Sequence, residues 1–83
     1  MQRRPGYWRT RFGSWVDRYT VAALVRDLAT VGVPVTKSAV YDWLSGDREP
    51  RLSTACKLVD LSRGALTMDD LAQHRREIEN DAT

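Results

Sequence analysis

The side chains best suited to recognition chemistry lie in residues 36–50, which read TKSAVYDWLSGDREP. Lys37, Ser38 and Tyr41 fall within about one helical turn of one another, since roughly 3.6 residues make a turn. Their ammonium and hydroxyl groups donate hydrogen bonds, and base edges and phosphates are rich in acceptors. The segment therefore indicates noncovalent recognition of a polar or anionic partner.

The same segment is predicted to form one short helix that displays these donors. Thr36 is a typical N-cap, and Gly46 is a typical stop signal. Val40, Trp43 and Leu44 stand at i, i+3 and i+4 and form an apolar stripe, which leaves the donors on the outer surface. A helix this short is marginal in water by itself, so neighbouring helices have to hold it in place.

A preceding helix, a connection and this second short helix together predict a helix-turn-helix. In that motif the second helix, here 36–45, lies in the major groove of double-stranded DNA. Lys37 can donate to guanine O6 and N7, and Ser38 can bond several bases. Tyr41, one turn further on, can reach a phosphate or a thymine methyl group.

The segment resembles the recognition helix and following turn of Cro/repressor-type helix-turn-helix regulators. Their pattern, V-x-x-W-x-x-G-x-x-x-P, is matched at Val40, Trp43, Gly46 and Pro50. The stretch RGALTMDDL, residues 63–71, is similar to the start of the last helix in phage and prophage members, so the resemblance covers roughly residues 20–75. The connection 29–35 is longer than the usual turn of 3–4 residues, which leaves the angle between the two helices open.

The resemblance implies a lambda-repressor-like fold and roles for individual positions. Trp43 would pack under the turn against Pro50. The positions that would contact bases are Thr36, Lys37, Ser38 and Tyr41. Those that would contact phosphate are Arg48 and Arg51, to which we add Thr20, the predicted N-cap of the preceding helix. Asp42 would repel phosphate unless it accepts from a cytosine amine or pairs with Arg48.

The expected function is therefore that of a sequence-specific double-stranded DNA-binding protein that acts as a transcriptional regulator. The resemblance implies a Cro-like or phage-like repressor. A homodimer is expected, because one such domain reads few base pairs and relatives of this type bind two half-sites. Either the fifth helix or the aromatic N-terminal segment could form the dimer interface. The expected location is the cytoplasm, at the nucleoid.

The whole chain, 83 residues long, is predicted to be an all-α bundle of about five short helices. We divide it into a basic aromatic arm (1–12), a helix-turn-helix domain (13–79) and a disordered tail (80–83). The first helix has two possible starts, just after Pro5 or at Ser14, and Gly13 favours the later one. Inward stripes are then predicted for the later helices. They comprise Val21, Leu24, Val25 and Leu28 after the Thr20 cap; Leu52, Ala55, Cys56 and Val59; and Met68, Leu71, Ala72 and Ile78 after a Thr67–Asp70 capping box.

Positive charge is concentrated at the start of the chain. Residues 1–20 hold five arginines against Asp17, whereas residues 69–83 carry five carboxylates against two arginines. A basic start suggests a polyanion partner. The arginines that could insert into a minor groove are Arg3, Arg4 and Arg9. A solvated tail explains the same composition.

Other functional classes find little support in the residues. One cysteine, Cys56, and one histidine, His74, provide no disulfide, metal-ligand spacing or nucleophile–base pair, so neither an enzyme, a metal site nor a cofactor is expected. His74 is predicted to be exposed between charges, and Cys56 to be a small buried hydrophobe. A second hypothesis is a protein-binding adaptor or inhibitor, since the aromatic start and acidic end suit an interface. A membrane-surface arm at residues 7–18 is a weaker third, and no apolar run approaches the ~20 residues of a span.

Overall fold

The computed structural model describes the backbone of residues 10–82 and the side chains of residues 10–78. Within that part of the chain there are five α-helices and no strand, which confirms the prediction of a small all-α bundle. The helices are α1 (Arg11–Tyr19), α2 (Val21–Thr30), α3 (Lys37–Ser45), α4 (Leu52–Ser62) and α5 (Met68–Ala82).

Helix α1 begins at Arg11, between the two starts that the sequence offers. Thr10 is the N-cap, and its hydroxyl oxygen accepts from the Gly13 amide at 2.9 Å. The expectation that Gly13 pushes the start to Ser14 is wrong, because the Thr10 cap and the burial of Phe12 outweigh the roughly 1 kcal/mol cost of a helical glycine. Arg11 and Phe12 thus belong to α1, although the division above places them in the arm.

Thr20 joins α1 directly to α2. Its amide donates to the Val16 carbonyl (2.9 Å) and so closes α1, while its hydroxyl accepts from the Ala23 amide (3.2 Å) and caps α2. The predicted cap is confirmed. One residue therefore ends one helix and begins the next, with its φ angle in the positive region at 77°.

The connection between α2 and α3 has a defined geometry. At the end of α2, the Gly32 amide donates to the Ala29 carbonyl and the Val33 amide to the Leu28 carbonyl, a Schellman arrangement with Gly32 at φ +87°. The chain then runs to Thr36, which caps α3. Helices α2 and α3 pack against each other, so the long connection consists of a helix stop followed by a short lead into α3.

Helix α4 turns a different face inward from the one predicted. Ala55 is buried as expected, but Cys56 is exposed and Leu52 keeps 73% of its surface. The buried face instead includes Thr54 and Leu58, together with Ser62, whose hydroxyl donates to the Val59 carbonyl and accepts from the Leu66 amide. Because these hydrogen bonds let Ser62 be buried, the apolar stripe alone predicted the wrong face of α4.

Helix α5 is the central support of the bundle. It packs against α1, α3 and α4, while α2 packs on α1 and α3. The Thr67–Asp70 capping box is confirmed by reciprocal bonds of 2.9 and 3.2 Å. Met68 and Ala72, predicted inward, are exposed instead. The helix continues through Ala82 into the segment for which a tail is predicted, and Thr83 lies outside the described residues.

Candidate nucleic-acid interface

Helix α3 has one buried face and one exposed face. Val40, Trp43 and Leu44 are buried in the core, as the stripe predicted. Lys37 and Ser38 are exposed, and Tyr41 retains 52% of its surface. The three predicted base-contacting donors are therefore brought together on the surface of one helix.

Both ends of α3 are fixed. The Thr36 hydroxyl accepts from the Ala39 amide at 3.1 Å, which leaves its hydrogen to donate elsewhere. Gly46 closes the helix in the left-handed region at φ +84°, with its amide bonded to the Trp43 carbonyl. A Cβ at Gly46 would lie 3.0 Å from Cγ2 of Ile78. The end of α3 thus rests closely on α5.

Arg48 pairs with Asp42 in this structure. Its Nε lies 3.8 Å from the Asp42 carboxylate, and its amide donates to the Asp42 carbonyl at 3.2 Å. Of the two roles considered for Asp42, the ion pair is the one observed. The Arg48 side chain remains 78% exposed, and Arg51 is exposed at the start of α4, so both guanidinium groups are accessible to phosphate.

The surface around α3 has balanced charge. Residues 36–51 hold three cations and three carboxylates, namely Lys37, Arg48, Arg51, Asp42, Asp47 and Glu49. Glu49 is also held by Arg75 of α5 at 3.2 Å. A strong attraction to phosphate thus requires cations from elsewhere in the chain. The predicted source, Arg3, Arg4 and Arg9, lies outside the described residues.

Thr20 occupies a separate part of the candidate interface. It is exposed at the start of α2 rather than on α3. Its hydroxyl oxygen is already engaged as the α2 cap, so its phosphate contact would use the hydroxyl hydrogen or the backbone.

His74 is buried, not exposed as predicted. Only 2% of its surface is accessible. Its Nε2 lies 2.9 Å from the Leu44 carbonyl oxygen, and its Nδ1 lies 2.5 Å from Oγ1 of Thr10. The spacing of Leu71, His74 and Ile78 at i, i+3 and i+7 was the signal that could have placed it inward.

A second polar cluster joins α1 to α2. The Tyr19 hydroxyl donates to the Asp27 carboxylate, which also accepts from Arg26 Nε at 3.1 Å. The bond to Asp27 raises the pKa of Tyr19, and the same bond lowers the pKa of Asp27. This cluster was not predicted. It joins α1 to α2, and α2 in turn packs against α3.

Within the described residues no three metal-ligating side chains come close enough together to hold a metal ion. None of the helices described is both long and apolar enough to cross a membrane. Comparison of the chain with protein-family models, curated proteins and solved structures finds no match. The resemblance to Cro/repressor-type regulators therefore rests on the residues of the chain itself.

Proposed function

We propose that the protein binds double-stranded DNA sequence-specifically, as a transcriptional regulator that places α3 in the major groove. The observation that carries this proposal is the two-sided character of α3. Val40, Trp43 and Leu44 anchor one face in the core, while Lys37 and Tyr41 project from the other. A short, rigidly capped helix with donors on its exposed face is what major-groove readout requires.

Each exposed side chain has a distinct role in this proposal. Lys37 donates to guanine O6 and N7, and Ser38 and Thr36 supply hydroxyls to neighbouring bases. Tyr41 contacts a phosphate or a thymine methyl group. Arg48 and Arg51 bind phosphates, which set the register of α3 on the duplex without reading sequence.

The proposed regulator is a homodimer that acts at the nucleoid as a Cro-like, phage-type repressor. Two copies reading two half-sites would supply the specificity that a single small domain lacks.

Selection of bound duplexes from a random pool tests this function. We expect enrichment of a common motif, and a two-fold symmetric motif would indicate two half-sites. Binding that falls steeply with added salt is expected as well, since phosphate contacts release counterions. If no duplex shows salt-sensitive binding at low ionic strength, DNA binding is rejected.

Substitution of Lys37 and Tyr41 by alanine tests whether α3 reads the bases. We expect affinity for the selected duplex to fall by about 10- to 100-fold, in line with ~1–3 kcal/mol for one good base contact, while the far-UV spectrum and unfolding midpoint stay unchanged. Lys57→Ala, which removes an exposed lysine of α4, is the matched control and should change affinity less than about twofold by the charge effect alone. Equal losses in both variants would show that α3 provides charge but no sequence readout.

A protein-binding adaptor is the second candidate function. The balanced charge of residues 36–51 favours it, because a surface with as many carboxylates as cations attracts phosphate weakly. The duplex selection separates the two candidates, since an adaptor enriches no motif.

A further inference from the structure

We propose that His74 is the residue that positions the C-terminal end of α3, and that uptake of a proton by this buried ring favours an opened form in which the ring leaves its site and that end is released. The positioning of α3 is a property of the free protein. Its consequence for DNA binding rests on the function proposed above.

The hydrogen-bond partners of His74 fix its tautomer. The Leu44 carbonyl can only accept, so Nε2 must carry the hydrogen that spans the 2.9 Å between them. In a neutral ring, Nδ1 then has a lone pair and accepts from the Thr10 hydroxyl at 2.5 Å. The Thr10 oxygen in turn accepts from the Gly13 amide. One directed chain of hydrogen bonds therefore links α1, α5 and α3.

Leu44 is the point at which this chain holds α3. Its carbonyl belongs to the last turn of a nine-residue helix, where carbonyls have no intrahelical partner. The amide four residues on, that of Arg48, donates instead to the Asp42 carbonyl. His74 is thus the group that satisfies the Leu44 carbonyl and ties the end of α3 to α5.

A second proton on His74 would leave the bond from Nε2 to the Leu44 carbonyl in place, but it would break the order of the chain between the ring and Thr10. A cationic ring donates from both nitrogens, so the Thr10 oxygen would have to accept from Nδ1 as well as from Gly13, and its own hydrogen would have to turn away. The site also disfavours charge, because the ring is buried against Phe12 and only 2% of the residue's surface is accessible. Burial lowers the pKa of His74, and the bonds to the Leu44 and Trp43 carbonyls oppose that shift only in part.

The charged groups around His74 are largely paired with one another. From α1, Arg11 faces Asp70 of α5 at 3.9 Å. Three more charged side chains line a small cavity beside the ring. They are Glu49 and Arg75, which pair at 3.2 Å, and Arg48, which pairs with Asp42. Since each of these positive charges is paired with a carboxylate, burial is the main influence on the pKa of His74.

These facts set the pH range over which protonation of His74 should affect stability. His74 is the only histidine in the chain, and histidine is the side chain whose ordinary pKa falls between pH 5 and 7. With the folded pKa below the unfolded value of about 6.5, the unfolded chain takes up the proton first as the pH falls. The folding constant should therefore be highest above pH 6.5 and decrease by up to about tenfold per pH unit until the folded pKa is reached.

Nitrogen-15 NMR of the imidazole in the wild-type protein tests the proposal directly. We expect the Nε2–H tautomer at pH 7 and a titration midpoint below 6.5. Amide hydrogen exchange, corrected for its intrinsic pH dependence, should accelerate between pH 7 and 5.5 more at Gly46 and Gly13 than at Leu28 in α2. An Nδ1–H tautomer, a midpoint at or above 6.5, or equal acceleration at all three amides would overturn the proposal.

Variants provide a second, independent test. His74→Gln retains an N–H for the Leu44 carbonyl but does not titrate, so its Gly46 exchange should be independent of pH between 5 and 7. Thr10→Ser preserves the hydroxyl and should leave the His74 midpoint unchanged, whereas Thr10→Val removes the hydrogen-bond partner of Nδ1 and should shift it. A His74 titration midpoint that is the same in both Thr10 variants would contradict the proposed chain of hydrogen bonds. That outcome can be read whether or not the glutamine variant folds.

The selected duplex then shows whether α3 positioning affects binding. Wild-type affinity should fall by at least about threefold from pH 7 to 5.5, and that of His74→Gln should not, whereas the added positive charge alone would strengthen binding to phosphate. Affinity that stays constant in a protein whose His74 titrates as expected would overturn the positioning role. If no duplex binds, the proposed function fails, and the NMR and exchange results still decide the role of His74 in α3.

Discussion

Thr20 holds the junction of α1 and α2 in a backbone conformation that β-branched residues seldom adopt. Its φ and ψ are 77° and 143°, a region essentially reserved for glycine, and such residues carry strain of about 1–3 kcal/mol. The same residue caps α2 through its hydroxyl. Backbone strain and helix capping at Thr20 therefore have opposite effects on the stability of the fold, and substitutions can separate the two effects.

Replacing Thr20 with glycine should stabilise the protein by about 1 kcal/mol. Glycine relieves the strain at positive φ and costs only a few tenths of a kcal/mol as an N-cap, although it also increases the entropy of the unfolded chain. Thr20→Ala, the matched control, keeps most of the strain and loses the cap, so it should destabilise by about 1 kcal/mol. Urea unfolding measures both, and an alanine variant as stable as the glycine variant would show that the backbone is not strained there.

At the scale of elements, α3 is held where its last turn meets α5. Gly46 has φ +84°, and a Cβ there would lie 3.0 Å from the Ile78 side chain. Gly32, which ends α2, has a similar φ of +87° with nothing within 4 Å of a Cβ. The two glycines thus share a backbone requirement and differ in packing.

Alanine substitutions at these glycines should separate backbone cost from packing cost. Gly32→Ala is expected to lower the free energy of unfolding by about 1 kcal/mol, the cost of a left-handed L-residue. Gly46→Ala should lower it by about 2–4 kcal/mol, because overpacking against Ile78 adds roughly 1–3 kcal/mol. Chemical denaturation compares them, and equal losses would mean that α5 yields to the added methyl group.

Helix ends were predictable because their signals are local. The Thr20, Thr36 and Thr67–Asp70 caps and the Gly46 stop all formed as expected, since each depends on residues within one turn. The apolar stripe of α3 was predicted for the same reason. The sequence thus identified the element that carries the candidate interface and the side it exposes.

Polar residues that are buried through their hydrogen bonds were not predictable in this way. Ser62 is buried in α4 because its hydroxyl bonds to Val59 and Leu66, which no apolar periodicity reveals. His74 is buried because its partners are supplied by Thr10 and Leu44, 64 and 30 residues away. His74 was predicted to be exposed, and Ser62 was not placed on the buried face, although buried polar groups are stable when they are hydrogen-bonded.

At the scale of the whole molecule, charge and shape are divided between different parts of the chain. The surface around α3 has as many carboxylates as cations, whereas residues 1–20 hold five arginines and one aspartate. In the proposed function, shape-specific contacts are therefore assigned to α3, and the electrostatic part of the expected DNA affinity to the N-terminal arginines. The two contributions should respond differently to salt, because only phosphate neutralisation releases counterions.

The salt dependence of DNA binding tests this division. Replacing Arg3, Arg4 and Arg9 with glutamine in the full chain should reduce the slope of log affinity against log salt by up to about 3, at ~0.9 per phosphate contact. The matched control replaces Lys57, Arg63 and Arg76, three exposed cations, so that net charge falls equally. That control should reduce the slope by less than about 1, because cations that touch no phosphate act only through their distant field, which salt screens. If the slope decreases equally in both triple variants, the arginines of the arm act through net charge alone. The phosphate contacts must then come from Arg48 and Arg51, and substitution of these two residues should flatten the slope.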